Sequence, residues 1–179
     1  LDVANWLMDA HPVIAQGQGG REVRKGKEFG EIFDHHMVEF TYADGTKLLS
    51  QCRHIRGCWS QVSEHCEGEK GKANISGSIQ QWAGGDVWRA KGGKNPYQVE
   101  HDNLFDAIRN NKFYGATSTM TSILGRMCTY SGKEIKWDDA INSQISLMPK
   151  KFAWDAEPPV LPDKDGFYPV PVPGATKVV

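Results

Sequence analysis

Apolar residues recur with two different periods along the chain, and each period predicts its own kind of element. Tyr97, His101, Leu104, Phe105 and Ile108 fall at offsets 0, 4, 7, 8 and 11, one stripe of a 3.6-residue helix. Ala116, Met120, Ile123, Leu124 and Met127 repeat those offsets. Asn95-Pro96 opens the first helix with a capping side chain and an N1 proline, and Ser131-Gly132 closes the second. Gly125, inside the second stripe, costs about 1 kcal/mol against alanine and predicts close approach of a neighbouring backbone. A helix pair over 97–130 needs a flat apolar surface to cover.

The stretch from Ile32 to Ile55 has period 2 instead. Val38, Phe40 and Tyr42 alternate with Met37, Glu39 and Thr41, and Ala43-Asp44-Gly45 supplies a hairpin turn with Gly45 left-handed. Pairing Tyr42 with Thr46 then opposes Phe40 to Leu48, Val38 to Ser50, His36 to Cys52 and Asp34 to His54, all on one face. Glu39, Thr41, Lys47 and Gln51 take the other face, with His35 opposite Arg53. A second hairpin is expected from Gln61–Glu67 and Lys72–Ser76 around Gly68–Gly71, with Ile79–Trp82 as a further strand. Val13–Gln16 is a short apolar stretch that Gly17-Gln18-Gly19-Gly20 breaks, read as a turn or bulge. Glu134–Lys136 reads as a short edge strand and Asp138-Asp139 as the start of a small helix ending near Ser143.

These elements predict an α+β fold, a large and mostly antiparallel sheet covered on one face by the 97–130 helix pair. Residues 1–148 form the domain. Residues 149–179 hold seven of the nine prolines, so they are not regular structure. Phe152, Trp154, Leu161 and Phe167 make this tail too apolar for a solvated linker, and it is expected to lie extended on the body or on a neighbouring subunit.

Composition narrows the functional classes. With 179 residues the chain can bury one sizeable core, and a net charge of −1 without a basic run gives no footprint for nucleic acid. No apolar stretch approaches the roughly 20 residues of a membrane span. Leu1 opens the chain, and LDVANWLMDA reads as the last turns of a helix already under way, so a piece of a longer protein is expected and the compartment stays open. Cys52, Cys58, Cys66 and Cys128 form no CxxC pair and read as reduced thiols.

Candidate chemistry is concentrated between His35 and Cys66, where four histidines and three cysteines occur. Their types suit a metal, but close-spaced ligand pairs on a turn are missing, so no metal ligands are assigned. Gly17–Gly20 lacks the GxGxxG spacing and the following helix of a dinucleotide loop. His101 reads as a core histidine, Asp138 and Asp139 as a helix cap and first-turn charge, and Thr117–Ser122 as a cap and polar helix face. No complete catalytic set is visible.

Several pieces, in order, resemble the C-terminal domain of the bacterial Gfo/Idh/MocA oxidoreductase family: LDVANWLMDAHPV, GGREVR, FGEIFDHHMVEFTYADGTKLLSQCRHIRGC, CEGEKGKANISG, NPYQVEHDNLFDAIRNN and GATSTMTSILGRMCTYSGKEIKWDDAINS. The resemblance implies an N-terminal Rossmann domain outside this chain, with the NAD(P) loop and the lysine of a Glu-Lys-Pro motif. The family's catalytic histidine would stand two positions before Leu1, in a His-x-Leu-Asp arrangement of which Leu1 and Asp2 remain. The resemblance assigns this chain no catalytic and no cofactor-binding residue, and leaves it the substrate and oligomer contacts.

The implied function is the substrate-binding and oligomerisation domain of an NAD(P)-dependent sugar or polyol oxidoreductase, catalytically silent alone. Two alternatives stand beside it: a parent that uses NAD to modify glycosides, and a non-catalytic sugar-binding or assembly module. The family's pocket lies between the two domains. Asp34, His36, Arg53 and His54, at the end of the first hairpin away from its turn, are the candidate substrate contacts, because such groups hydrogen-bond the hydroxyls of a sugar. The competing reading is that all four are solvated or locally paired at the sheet rim. A homo-oligomer through the uncovered sheet face, where Met37 and Leu49 point, is also expected.

Overall fold

A computed structural model of the protein describes residues 1–75 and 77–179. In chain order the elements are α1 (Asp2–Met8), β1 (Ile14–Gly20), a 3₁₀ turn (Lys27–Phe29), β2 (His35–Thr41), β3 (Lys47–Arg53), β4 (His65–Gly68), β5 (Gly71–Asn74), β6 (Ser78–Gln81), β7 (Trp88–Arg89), α2 (Pro96–Arg109), α3 (Tyr114–Ser131), β8 (Ile135–Lys136) and α4 (Trp137–Ile141). The chain divides into two compact units, Leu1–Gly57 with Thr117–Val179, and Cys58–Ala116.

The first unit is built on an antiparallel sheet of order β3-β2-β1-β8. The predicted hairpin has the expected register: Phe40 opposes Leu48, Val38 opposes Ser50 and His36 opposes Cys52. Tyr42 N–H donates to the Thr46 carbonyl, and His54 N–H to that of Asp34, so the ladder extends past both strand ends. Gly45 has φ of 89°, the left-handed turn residue. Ala15, Val38, Phe40 and Ile135 meet Leu124, Met127 and Cys128 of α3 and Trp137 and Ala140 of α4, and these residues are the core. Alternation sets the two faces: Val38 and Phe40 are buried, whereas Met37 is 41% and Leu49 62% exposed.

The Gly17–Gly20 stretch forms neither a turn nor a bulge. It is the second half of β1, paired with β2 from Gly17 opposite Val38 to Gly20 opposite His35. A methyl group on Gly17 would lie 2.5 Å from the Met37 carbonyl oxygen and 3.2 Å from the Thr129 methyl, so the close seating of α3 over β1 needs the missing side chain. Gly125 has the matching role on the helix, although what approaches it is a ring and not a backbone. A Cβ there would stand 2.9 Å from Phe40 Cζ.

The α+β class stands, with two four-stranded antiparallel sheets in place of one large one. The β3 ladder ends at Arg53 and no strand forms over 54–64, so the second hairpin founds its own sheet, of order β4-β5-β6-β7. Gly68 pairs with Gly71 around Glu69-Lys70. The predicted strand end at Ser76 lies outside the described residues. Helical cover of the first sheet comes from α3 and α4, whereas α2 belongs to the second unit and Tyr97, Leu104, Phe105 and Ile108 of its stripe are 51–73% exposed. His101 is exposed too, its Nδ1 2.6 Å from the Tyr97 carbonyl oxygen, and is no core histidine. Asp138 and Asp139 lie in the first turn of α4, whose N-cap is Lys136.

Beyond Asn142 the chain has no regular element. Phe152, Trp154, Leu161 and Phe167, the residues expected to hold the tail on the body, are all exposed, whereas the last residues bond to the first unit: Gly174 N–H donates to the Ser131 carbonyl, Ser143 Oγ to that of Val178, and Val178 packs against the core.

Candidate functional site

Of the four predicted contacts, His36 has the most distinctive environment. Strand parity puts it on the same face as Val38 and Phe40, under the C-terminal end of α3. Gly19 lies opposite on β1, where a Cβ would stand 3.2 Å from His36 Nδ1, so the missing side chain leaves room for the ring. Thr129 Oγ1 is 2.9 Å from Nδ1. That hydroxyl has one proton, and the carbonyl oxygens of Gly125 and Arg126, each 3.1 Å away, accept it. Nδ1 is therefore the donor to Thr129, which assigns the lone pair to Nε2 by hydrogen-bond logic.

Nε2 has no side-chain or backbone partner among the described residues, and no side-chain nitrogen among them is both buried and unpaired, so it opens to solvent. Burial lowers the pKa of His36 below its ordinary 6.5, and the charges of His35 and Arg126 lower it further against the opposing pull of Asp34. A neutral imidazole with a free acceptor results. Aromatic packing holds it: Tyr130 is stacked at 6.1 Å and Phe33 tilted at 5.9 Å. The Tyr130 hydroxyl accepts the Phe33 N–H at 3.3 Å, and the Arg126 guanidinium lies 4.4 Å from the Tyr130 ring centre while pairing with Glu31 at 3.4 Å. Such a histidine can accept a hydrogen bond, or a proton, from a hydroxyl group presented to it.

Asp34 is differently engaged. Its side chain is fully buried, and Oδ2 accepts three successive backbone N–H groups, from Glu22, Val23 and Arg24, at 2.7–3.0 Å. Oδ1 lies 2.8 Å from His35 Nδ1. Burial alone would raise the Asp34 pKa, but the N–H groups of Arg24, Val23 and Glu22 and the His35 ring hold it well below the carboxylate range. Across the same loop, the Arg21 guanidinium donates to the carbonyl oxygens of Arg24, Gly26 and Gly30. Asp34 and Arg21 thus tie the 21–34 loop into one piece beside His36. Arg53 and His54 are exposed. The Arg53 backbone sits opposite His35 on the uncovered side, and the His54 carbonyl accepts from Arg24 Nε.

No family profile and no curated protein matches the sequence. Among solved structures, the fold is similar to that of an aldose-aldose oxidoreductase from Caulobacter crescentus, crystallised with glycerol. The match has a TM-score of 0.56 at 16% identity and covers 75% of this chain and 44% of that one. The chain therefore spans less than half of that enzyme's length.

The structure brings Asp34 and His36 next to one loop and one helix end, with Arg53 and His54 at the exposed rim. Thr129, Tyr130, Phe33 and Arg126 complete the His36 environment and were not among the expected residues. A signal for Tyr130 exists, since extending the α3 stripe by three residues from Met127 reaches it. Nothing in the spacing marks Thr129, because its contact with His36 spans 93 positions. A second polar link has the same character: Tyr42 donates to Asn5 and Asn5 to Thr121, each at 2.9 Å, which joins α1 to the sheet and to α3. Among the described residues no three of His, Cys, Asp and Glu gather as metal ligands.

Proposed function

We propose that this chain is the substrate-binding and oligomerisation portion of an NAD(P)-dependent oxidoreductase acting on a sugar or polyol. The observation that carries the reading is the agreement of two separate lines. The ordered motifs resemble the C-terminal domain of Gfo/Idh/MocA oxidoreductases, and the backbone is similar to a solved aldose-aldose oxidoreductase. His36 offers the substrate side an uncharged acceptor, suited to a neutral hydroxyl. In this reading Asp34 shapes the site by holding the loop, and Arg53 and His54 border it.

Gly17–Gly20 does not fit a dinucleotide phosphate. It is extended strand in the β1–β2 ladder and no α-helix starts directly after it, so the stretch offers neither the tight turn nor the helix N-terminus of a dinucleotide loop. The nicotinamide cofactor is assigned to the Rossmann portion of the parent. The uncovered face of the first sheet, with Met37 and Leu49 exposed, is the proposed homo-oligomer contact.

The test is a chain that includes the Rossmann portion, assayed against a sugar and polyol panel for NAD(P) reduction. His36→Ala should lower kcat/KM by about tenfold or more on the best substrate, the loss expected for one good hydrogen bond. Unchanged kcat/KM for Ala variants at His36, Arg53 and His54 would refute the assignment of this rim to substrate.

A further inference from the structure

The second sheet has a polar face that none of the foregoing uses. Its register aligns two rows of side chains across the strands. His65 opposes Asn74, Asn74 opposes Ser78 and Ser78 opposes Arg89. One step along, Glu67 opposes Lys72 and Lys72 opposes Gln80. Because side chains alternate, all seven point to one side, and Cys66, Ala73, Ile79 and Trp88 point to the other.

A cavity of about 410 Å³ opens on this side, lined by these seven residues together with Cys66, Ala73 and Val87. Such a volume falls within the range of small-molecule sites, about 300–1,000 Å³. Trp82 continues the ladder through its N–H to Lys70 and, by parity, joins the Gln80 side. Its indole N–H is held by the Gly68 carbonyl at 2.9 Å and the Lys72 ammonium lies 5.7 Å from its ring centre, so the ring stands as a fixed platform at the edge.

The lining decides what fits. A protein partner needs an apolar, charge-depleted centre, which this face lacks. An anion would meet Glu67, and a cation would meet Lys72 and Arg89. Amides, a hydroxyl and an imidazole, donors and acceptors together beside an aromatic ring, suit a ligand rich in hydroxyls with apolar C–H faces.

We infer that the polar face of the β4–β7 sheet binds a saccharide, with Asn74, Gln80 and Arg89 bonding its hydroxyls and Trp82 stacking at one end. This inference does not rest on the oxidoreductase reading.

The test is an NMR titration of the full 179-residue chain with D-glucose, D-xylose and maltose, each up to about 50 mM. The side-chain amide signals of Asn74 and Gln80 and the indole N–H of Trp82 are followed. Saturating shifts of these signals are expected with at least one sugar, and Asn74→Ala and Trp82→Ala should each weaken binding by about fivefold or more. A variant whose second sheet fails to fold is recognised from the loss of its β5 amide dispersion, and the wild-type titration alone then decides. No shift with any sugar would overturn the inference. So would shifts confined to His36 and Thr129, which would leave the preceding proposal intact. Broadening of the same signals with protein concentration and no sugar would mean that a second copy occupies the face, and would overturn it as well.

Discussion

Replacing Asp34 by Asn separates an anchoring carboxylate from a ligand-binding one. The wild-type group accepts three backbone N–H bonds and meets the His35 ring, with almost no contact with water. Hydrogen bonds to a charged group contribute about 1.5–3 kcal/mol each, against about 1 for neutral pairs. Asparagine keeps the volume and one acceptor oxygen. Either its N–H₂ faces the three donors, which then lose their acceptor, or it faces His35, whose Nδ1 accepts in the other tautomer while every bond of the cluster loses its charge. Weighing the bonds kept against those lost gives a cost of about 2–4 kcal/mol at neutral pH.

Native-state amide exchange of the β2 residues Val38 and Phe40 reads the opening of this unit. Exchange should speed up by about 30- to 900-fold in Asp34→Asn. The pH dependence follows from the lowered pKa. A carboxyl depressed in the folded state stabilises fully above its unfolded value of about 3.9, and that contribution fades as pH falls through this value toward the folded one. The gap between wild type and variant should therefore be constant from about pH 5 to 8 and narrow below about pH 4. A change of less than about 0.5 kcal/mol at pH 7 would refute the anchoring role and return the carboxylate to the list of groups free for substrate.

Two further outcomes follow from the same packing. Gly125→Ala gains about 1 kcal/mol of helix propensity but drives a methyl to 2.9 Å from Phe40, an overpacking cost of about 1–3 kcal/mol, so a lower Tm is expected and a higher one would refute the contact. His36, followed by its ring carbon resonances, should titrate below 6.5 and rise part-way in Arg126→Leu, since burial is the larger cause and Arg126 a smaller one; titration at or above 6.5 in the wild type would refute the neutral assignment.

The first hairpin was fully legible because its turn and its alternation agree. Asp44-Gly45 sets the loop, Val38 and Phe40 set the buried side, and the register down to Asp34 and His54 follows by counting. The long helices were legible from their stripes for the same reason. β1 was hidden because glycine carries no periodicity. Gln16 and Gln18 alternate only with absent side chains, and the reason for those absences, Thr129 above Gly17 and Phe33 and His36 beside Gly19, lies far away in the chain. The division into two sheets was hidden as well, since two hairpins in sequence predict strands and not whether the strands join.

The same reasoning explains why the candidate site was found by type and missed in its detail. Asp34 and His36 were picked out as polar groups at a sheet end, yet one is closed off by three N–H groups and the other stays open at Nε2. What differs is the partner each one finds. Asp34 lies at the mouth of a loop whose N–H groups converge on it, and such a carboxylate is saturated before any ligand arrives. His36 lies on a strand, where its own backbone is used by the ladder, and only Nδ1 meets a side chain of α3. A ligand-binding group must keep one good hydrogen-bonding atom unsatisfied by the fold, and the glycine at position 19 is what lets this one enter a packed face while keeping Nε2 in reach of solvent.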